Sequence, residues 1–165
     1  MDQQKGSGWM KYRHEWKHRI DYGDMLAVRQ RLSVIAERDV YAVNGRYEVR
    51  SLYFDTLTDK ALREKIDGVN VREKFRIRYY NGDLSFVRLE KKSKINGLCL
   101  KESEALDVGQ VRAMLDGDST AAQDEGSLVT ELCGKMRSQG LRPKTIVDYT
   151  REPFVFAPGN VRITL

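Results

Sequence analysis

The sequence holds only two histidines and two cysteines. It also has no apolar run approaching the roughly 20 residues that a membrane-spanning helix needs. Each shortage excludes something. Without such a run, no transmembrane helix is expected. The opening stretch MDQQKGSGWMK has no apolar core of the kind a secretory signal carries, so no signal peptide is expected. Cys99 and Cys133 lie far apart with no C-x-x-C partner, so they read as reduced thiols of a cytoplasmic protein. Internal repeats and long low-complexity tracts are missing too. With 165 residues and 41% hydrophobic content, the chain can bury one core. It is therefore divided into a tail over 1–10 and a single domain over 11–165.

The scarcity of histidine bears on one motif. YRHEWKHRID spells H-E-x-x-H with His14, Glu15 and His18. On a helix this spacing would put two zinc ligands on one face, with a further ligand downstream. No third histidine exists, so an acidic residue such as Glu37 would have to serve, and nothing in the sequence selects it. Residues 12–20 also fit the period of a strand. As a strand they place Arg13, Glu15, Lys17 and Arg19 on one face, with His14, Trp16, His18 and Ile20 on the other. The histidines are then packing or surface residues, and the protease spelling is an accident.

What the chain does have is positive charge, unevenly spread. The net charge is +5, yet residues 11–101 hold 21 Lys/Arg against 13 Asp/Glu, whereas residues 102–165 hold 7 against 10. A basic first part beside an acidic second part points to an anionic ligand bound mainly by the first. Nucleic acid, polyphosphate and anionic lipid all fit that balance.

The element pattern is α+β. Asp21-Tyr22-Gly23-Asp24 offers a capping carboxylate, and Met25, Val28, Leu32, Ile35 and Ala36 follow at helical spacing to about Arg38. RYEVRSLYFD (46–55) reads as a strand, and DKALREKIDG as a short helix stopped by Gly68. Strands are expected over 71–80, 84–94 and 98–105, joined at Asn81-Gly82 and Asn96-Gly97, since Asn-Gly is a strong hairpin signal. Helices are expected from Val108 to Leu115 and from Leu128 to Met136. Strands near 144–157 and 160–165 should flank the Pro158-Gly159 turn. This order predicts a mainly antiparallel sheet with inserted helices.

The informative pattern lies in the strands. In VREKFRIRYY, Arg72, Lys74, Arg76 and Arg78 share one face, and Val71, Phe75, Ile77 and Tyr79 share the other. FVRLEKKSK repeats the arrangement, with Arg88, Glu90 and Lys92 opposite Val87 and Leu89. GLCLKES sets Lys101 against Leu98 and Leu100, and NVRITL sets Arg162 between Val161 and Ile163. Solvated sheet faces usually mix signs, because like charges directly opposite one another destabilise a sheet. Here Glu90 stands alone among the cations, and that repulsion calls for a bound anion. A cationic face on every strand predicts a sheet curled into a barrel around a basic interior, where Arg–phosphate contacts gain from the exclusion of water. The aromatics Phe75 and Tyr79 alternate away from this face. Single-strand RNA binders stack bases inside the basic groove, so nucleic acid is not expected.

Arg13-x-Glu15-x-Lys17, SLYFDT, Lys74-x-Arg76-x-Arg78, LEKK, Lys101, YTREPF and VRITL, in this order, resemble the VTC domain over about residues 11–165. That is the polyphosphate polymerase domain of vacuolar transporter chaperone-like proteins, within the triphosphate tunnel metalloenzyme (CYTH-like) superfamily. The resemblance implies an antiparallel β-barrel, or triphosphate tunnel, lined with basic residues. It implies transfer of the ATP γ-phosphate to a polyphosphate chain with a divalent manganese or magnesium ion. Matched residue by residue, Lys17, Arg76, Arg78, Lys92 and Lys101 take catalytic positions. Arg13, Lys74, Arg88, Arg151 and Arg162 are expected to bind substrate. In the family the chain runs past the strand matched by VRITL into strands that bear a metal-binding Glu and a further Lys. The barrel is therefore expected to be incomplete here, with Glu15 and Glu90 as its tunnel-facing carboxylates for metal. Such a site suits phosphoryl transfer, which needs positioning and charge neutralisation more than covalent chemistry. Two alternatives stay open: a metal-dependent triphosphatase of the same superfamily, and a non-catalytic polyphosphate-binding module. The triphosphatases open with E-x-E-x-K, and Arg13 stands at the first of those positions.

Overall fold

The computed structural model describes residues 16–118 and 126–165. Arg13, His14 and Glu15 lie outside the described residues, and so does most of the polar loop before Ser127.

The chain begins its regular structure at α1 (Tyr22–Ile35), where the Asp21 carboxylate accepts from the Asp24 amide at 2.7 Å. This satisfies one of the orphan amides of the first turn. Then come β1 (Glu37–Arg38), β2 (Tyr47–Asp55), α2 (Lys60–Ile66), β3 (Val71–Tyr80), β4 (Asp83–Ile95) and β5 (Leu98–Leu106). The helices α3 (Val108–Leu115) and α4 (Leu128–Gln139) precede β6 (Arg142–Arg151), β7 (Pro153–Phe156) and β8 (Val161–Thr164). The architecture is the expected α+β, with antiparallel pairing throughout.

The β3–β4–β5 meander follows from its turns. Asn81 and Gly82 have φ of 52° and 71°, and Asn96 and Gly97 have 49° and 85°. Both pairs are left-handed, as a two-residue hairpin matched to strand twist requires. A third Asn-Gly pair, Asn44-Gly45, closes a small bridge between Val43 and Arg46, which the sequence reading passes over.

Strand order in the larger sheet is β5-β4-β3-β2-β6, and β1-β7-β8 form a separate sheet. One face of the larger sheet presents Phe75, Ile77, Val87 and Leu89, and Leu106 joins them. Against these residues pack Met114 of α3 and Leu128, Val129, Leu132 and Cys133 of α4. Phe75, Leu89, Met114, Leu132 and Cys133 are wholly excluded from solvent. Helices cover this face, so the basic face must be the other one.

Two expectations need correction. The sheet is not a closed barrel: among the described residues β5 and β6 are its edges, and β7 and β8 pair elsewhere. Pro153 has no amide hydrogen with which to extend the β6 ladder. The stretch read as one strand over 144–157 breaks there into β6 and β7. The chain then crosses to the smaller sheet, where Glu152 exchanges backbone bonds with Leu165 at 2.9 and 3.1 Å. Residues 16–20 are likewise no strand; they run irregular and exposed into the α1 cap. Trp16 and Ile20 are exposed along with Lys17, His18 and Arg19, so no face of this segment is buried. The alternation inferred for them does not apply.

Candidate functional site

The register of the larger sheet assembles the site. Across β3 and β4, Arg72 stands opposite Lys94, Lys74 opposite Lys92, Arg76 opposite Glu90 and Arg78 opposite Arg88. Across β4 and β5, Lys92 stands opposite Lys101 and Glu90 opposite Ser103. Lys74, Lys92 and Lys101 therefore form one row over three strands. Glu90 is the one carboxylate among these cross-strand partners. On the other side β2 sets Ser51 opposite Arg78 and Tyr53 opposite Arg76. Next to it β6 contributes Tyr149, opposite Val49, and Arg151, opposite Tyr47.

Glu90 is the hub. It is 2% exposed. Its Oε2 accepts from Arg76 Nε at 2.7 Å and lies 2.5 Å from Arg76 Nη2, while Oε1 is 2.5 Å from Lys101 Nζ. Arg78 Nη1 is 3.7 Å away. Burial works to raise the pKa of this carboxyl, but the bond from Lys101 and the charge of Arg76 outweigh it and hold the group below the usual carboxylate range. Part of the anion that the sequence called for is therefore built in.

Hydroxyl groups fix the arginines. Arg78, 2% exposed, donates from Nε to Ser51 Oγ at 2.9 Å and from Nη2 to Tyr149 Oη at 2.5 Å, and its guanidinium lies over the Tyr80 and Tyr149 rings. Arg151 Nη2 also donates to Tyr149 Oη, at 3.0 Å. Arg76 Nη1 donates to Tyr53 Oη at 3.0 Å, and Lys74 Nζ sits 5.5 Å above the Tyr53 ring. Arg88 Nε donates to Ser103 Oγ at 2.7 Å. Desolvation, then the charges of Arg76, Lys92 and Lys65, lower the Lys74 pKa against the pull of Tyr53.

The face thus brings together Lys74, Arg76, Arg78, Arg88, Glu90, Lys92, Lys101 and Arg151. It does not bring in Arg162, which lies on β8 in the smaller sheet, 3.4 Å from the Asp39 carboxylate. Lys17 lies on the exposed irregular segment before α1, and Arg13 and Glu15 lie outside the described residues. Among the described residues no three His, Cys, Asp or Glu side chains gather to hold a metal ion. Glu90 meets cations on both of its oxygens. Among the described residues this donor set does not fit a protein-held divalent metal, and Glu15, the other carboxylate expected to hold one, lies outside them.

Sequence reasoning missed Ser51, Tyr53 and Tyr149. Alternation carries the signal: RSLYFD places Ser51 and Tyr53 on the face next to the basic strands, and IVDYTR places Tyr149 there between Val147 and Arg151. A concavity of about 450 Å³ around Glu48, Arg50, Tyr79 and Asp148 is lined instead by the exposed Arg50–Asp148 pair, 2.7 Å apart. The basic side chains do not cluster there.

The family model described as the VTC domain matches residues 12–165. The chain belongs to the VTC domain family. No curated protein matched it. The family is associated with polyphosphate, and a face of Arg and Lys side chains held by hydroxyls is chemically suited to phosphate oxygens. Among the described residues of this VTC domain, no helix is long and apolar enough to cross a membrane.

Proposed function

We propose that this VTC domain binds ATP and polyphosphate on the basic face of the larger sheet and transfers the ATP γ-phosphoryl group to the chain end. A terminal oxygen of polyphosphate attacks the γ-phosphorus, the bond from that phosphorus to the β,γ-bridging oxygen breaks, and ADP leaves with the electron pair. Arg76 and Arg78 are the forks that bind equatorial oxygens; Lys74, Lys92, Lys101, Arg88 and Arg151 supply further charge. Such a reaction is driven by positioning and neutralisation, so preformed cations are its main requirement. The observation that carries the reading is the in-register crowding of cations on β3, β4 and β5 around the single carboxylate Glu90.

No step is routed through a metal held by the protein. Manganese or magnesium enters as part of the nucleotide substrate, coordinated by phosphate oxygens, a common mode for magnesium. A second reading, a polyphosphate-binding module without turnover, is favoured by the commitment of Glu90 to Arg76 and Lys101.

The test is an assay of the purified chain with manganese–ATP and a short polyphosphate primer, products being resolved by length on a gel. Lengthening of the primer with stoichiometric ADP supports the polymerase. Orthophosphate release without lengthening identifies a triphosphatase, and tight polyphosphate binding with neither product identifies the binding module.

A further inference from the structure

The structure assigns Tyr53 to the phosphate site as a direct hydrogen-bond donor, a role that rests on the reading above that the basic face binds phosphate chains. Tyr53 is half-buried on β2, opposite Arg76 in register. Its hydroxyl oxygen accepts from Arg76 Nη1 at 3.0 Å. A phenol that accepts in this way still has its own proton to give, and no acceptor for that proton is in reach among the described residues. The ring is flanked by Lys74 Nζ at 5.5 Å and by the Arg76 guanidinium at 5.8 Å from its centroid. The hydroxyl therefore belongs to a ring flanked by two cations, on the face where an anion is expected.

The chemistry favours an anionic acceptor. Burial works to raise the pKa of the phenol, but the bond from Arg76 and the charges of Arg76, Lys74 and Arg78 prevail and leave it below the ordinary tyrosine value. A more acidic O–H is a stronger donor, and hydrogen bonds to charged acceptors are stronger than neutral ones. Arg76 spends Nε and Nη2 on Glu90 and one Nη1 hydrogen on Tyr53. A guanidinium has five donors, so it keeps hydrogens to share the same phosphate. Tyr53, Lys74 and Arg76 would thus converge on one phosphoryl group, with a neutral donor beside two cations.

Tyr53 could instead act only by holding Arg76, and a double-mutant cycle separates the two roles. Binding of a short polyphosphate to the full chain is measured by calorimetry for wild type, Tyr53→Phe, Arg76→Ala and the double variant. Circular dichroism and thermal melting check that each is folded. Tyr53→Phe is expected to weaken binding about 10-fold, the scale of one hydrogen bond to a charged group. In the Arg76→Ala background it should still weaken binding several-fold. No further loss in that background, or no loss in wild type, overturns the assignment of a direct donor. If the wild-type chain binds no polyphosphate at all, both this assignment and the function proposed above fall. If it binds and Tyr53→Phe binds equally well, only the assignment falls.

Discussion

The two faces of the five-stranded sheet use the same strands and the same alternation, yet they treat charge in opposite ways. On the helix-covered face Lys91 is 13% exposed and meets Glu131 at 2.7 Å, Glu102 at 3.4 Å and Glu73 at 3.8 Å. Lys135 pairs with Glu73 and lies 3.4 Å from Glu131. Two cations there share three carboxylates. On the basic face Glu90 is the carboxylate in register with the Lys74–Lys92–Lys101 row and its neighbouring arginines, and its contacts go to Arg76, Arg78 and Lys101. Like charges directly opposite across strands are unfavourable, so the basic face carries a cost that a bound anion relieves, while the covered face is neutralised within the fold. The covered face serves stability, and the basic face is the one proposed to take a ligand.

The largest effect that would break this division is loss of the covered core. Phe75 is 0% exposed, between the sheet and α4, and Phe75→Ala should cost about 3–5 kcal/mol. Urea melts would show it, while polyphosphate affinity of the folded protein should be unchanged. A large affinity loss at full folding would mean that the faces are not separable.

Glu90→Gln comes next. It leaves Arg76, Arg78 and Lys101 without their counter-charge, and breaking a buried pair in this way costs about 3 kcal/mol. Phosphate should rescue this variant more than it stabilises wild type, because it replaces the missing charge. The pH dependence has a definite sign. Glu90 has a depressed folded-state pKa, so its contribution is fully present above the unfolded carboxylate value of about 4.3. It is lost as pH falls from there through the lower folded value. Melts across that acid window should show wild type losing its advantage over Glu90→Gln. A constant difference between the two would show that the Glu90 charge does not matter.

Much of this was legible in the sequence, for physical reasons. The Asn-Gly pairs fix the β3–β4–β5 hairpins, and period two then fixes which side chains share a face. Arg76 with Ile77 on opposite faces needs nothing more. What stayed hidden depends on register and long-range pairing. Glu90 can be seen facing the cations, but its contacts with both Arg76 and Lys101 follow only once β3, β4 and β5 are aligned. Tyr149 reaches Arg78 from a strand 71 positions later in sequence, beyond any local pattern. The short stretch 16–20 fits the period of helix and strand alike and forms neither, and the barrel, expected to be incomplete, is an open sheet among the described residues.

Arg76→Ala tests the basic face directly. Its bonds to phosphate should be worth roughly 1.5–3 kcal/mol, hence about 10- to 150-fold in polyphosphate affinity. Ile77→Val, one residue along on the covered face, should change stability by about 0.5–1.5 kcal/mol and leave affinity alone. Calorimetry and melts on both variants give the contrast, and a comparable affinity loss in Ile77→Val would sink it.

The smallest expected effect makes the comparison sharpest, because it repeats the same substitution on the other face. Glu131→Gln removes one carboxylate charge from the covered network. Lys91 keeps Glu73 and Glu102, and Lys135 keeps Glu73, so no cation is stranded. The cost should stay near 0.5–1 kcal/mol, the range of partly exposed ion pairs, and polyphosphate affinity should not move. Burial works to lower the Lys91 pKa, but the bond from Glu131 and the charges of Glu131, Glu102 and Glu73 raise it overall. That contribution is present below the ordinary lysine value and is lost as pH rises through the raised folded value. The stability difference between wild type and Glu131→Gln should therefore be present at neutral pH and fade at the alkaline end, whereas the difference for Glu90→Gln fades at the acid end. The substitution is the same, and the surroundings differ in whether other carboxylates remain. If Glu131→Gln proves as costly as Glu90→Gln, the covered network is not redundant and the two faces do not differ in kind.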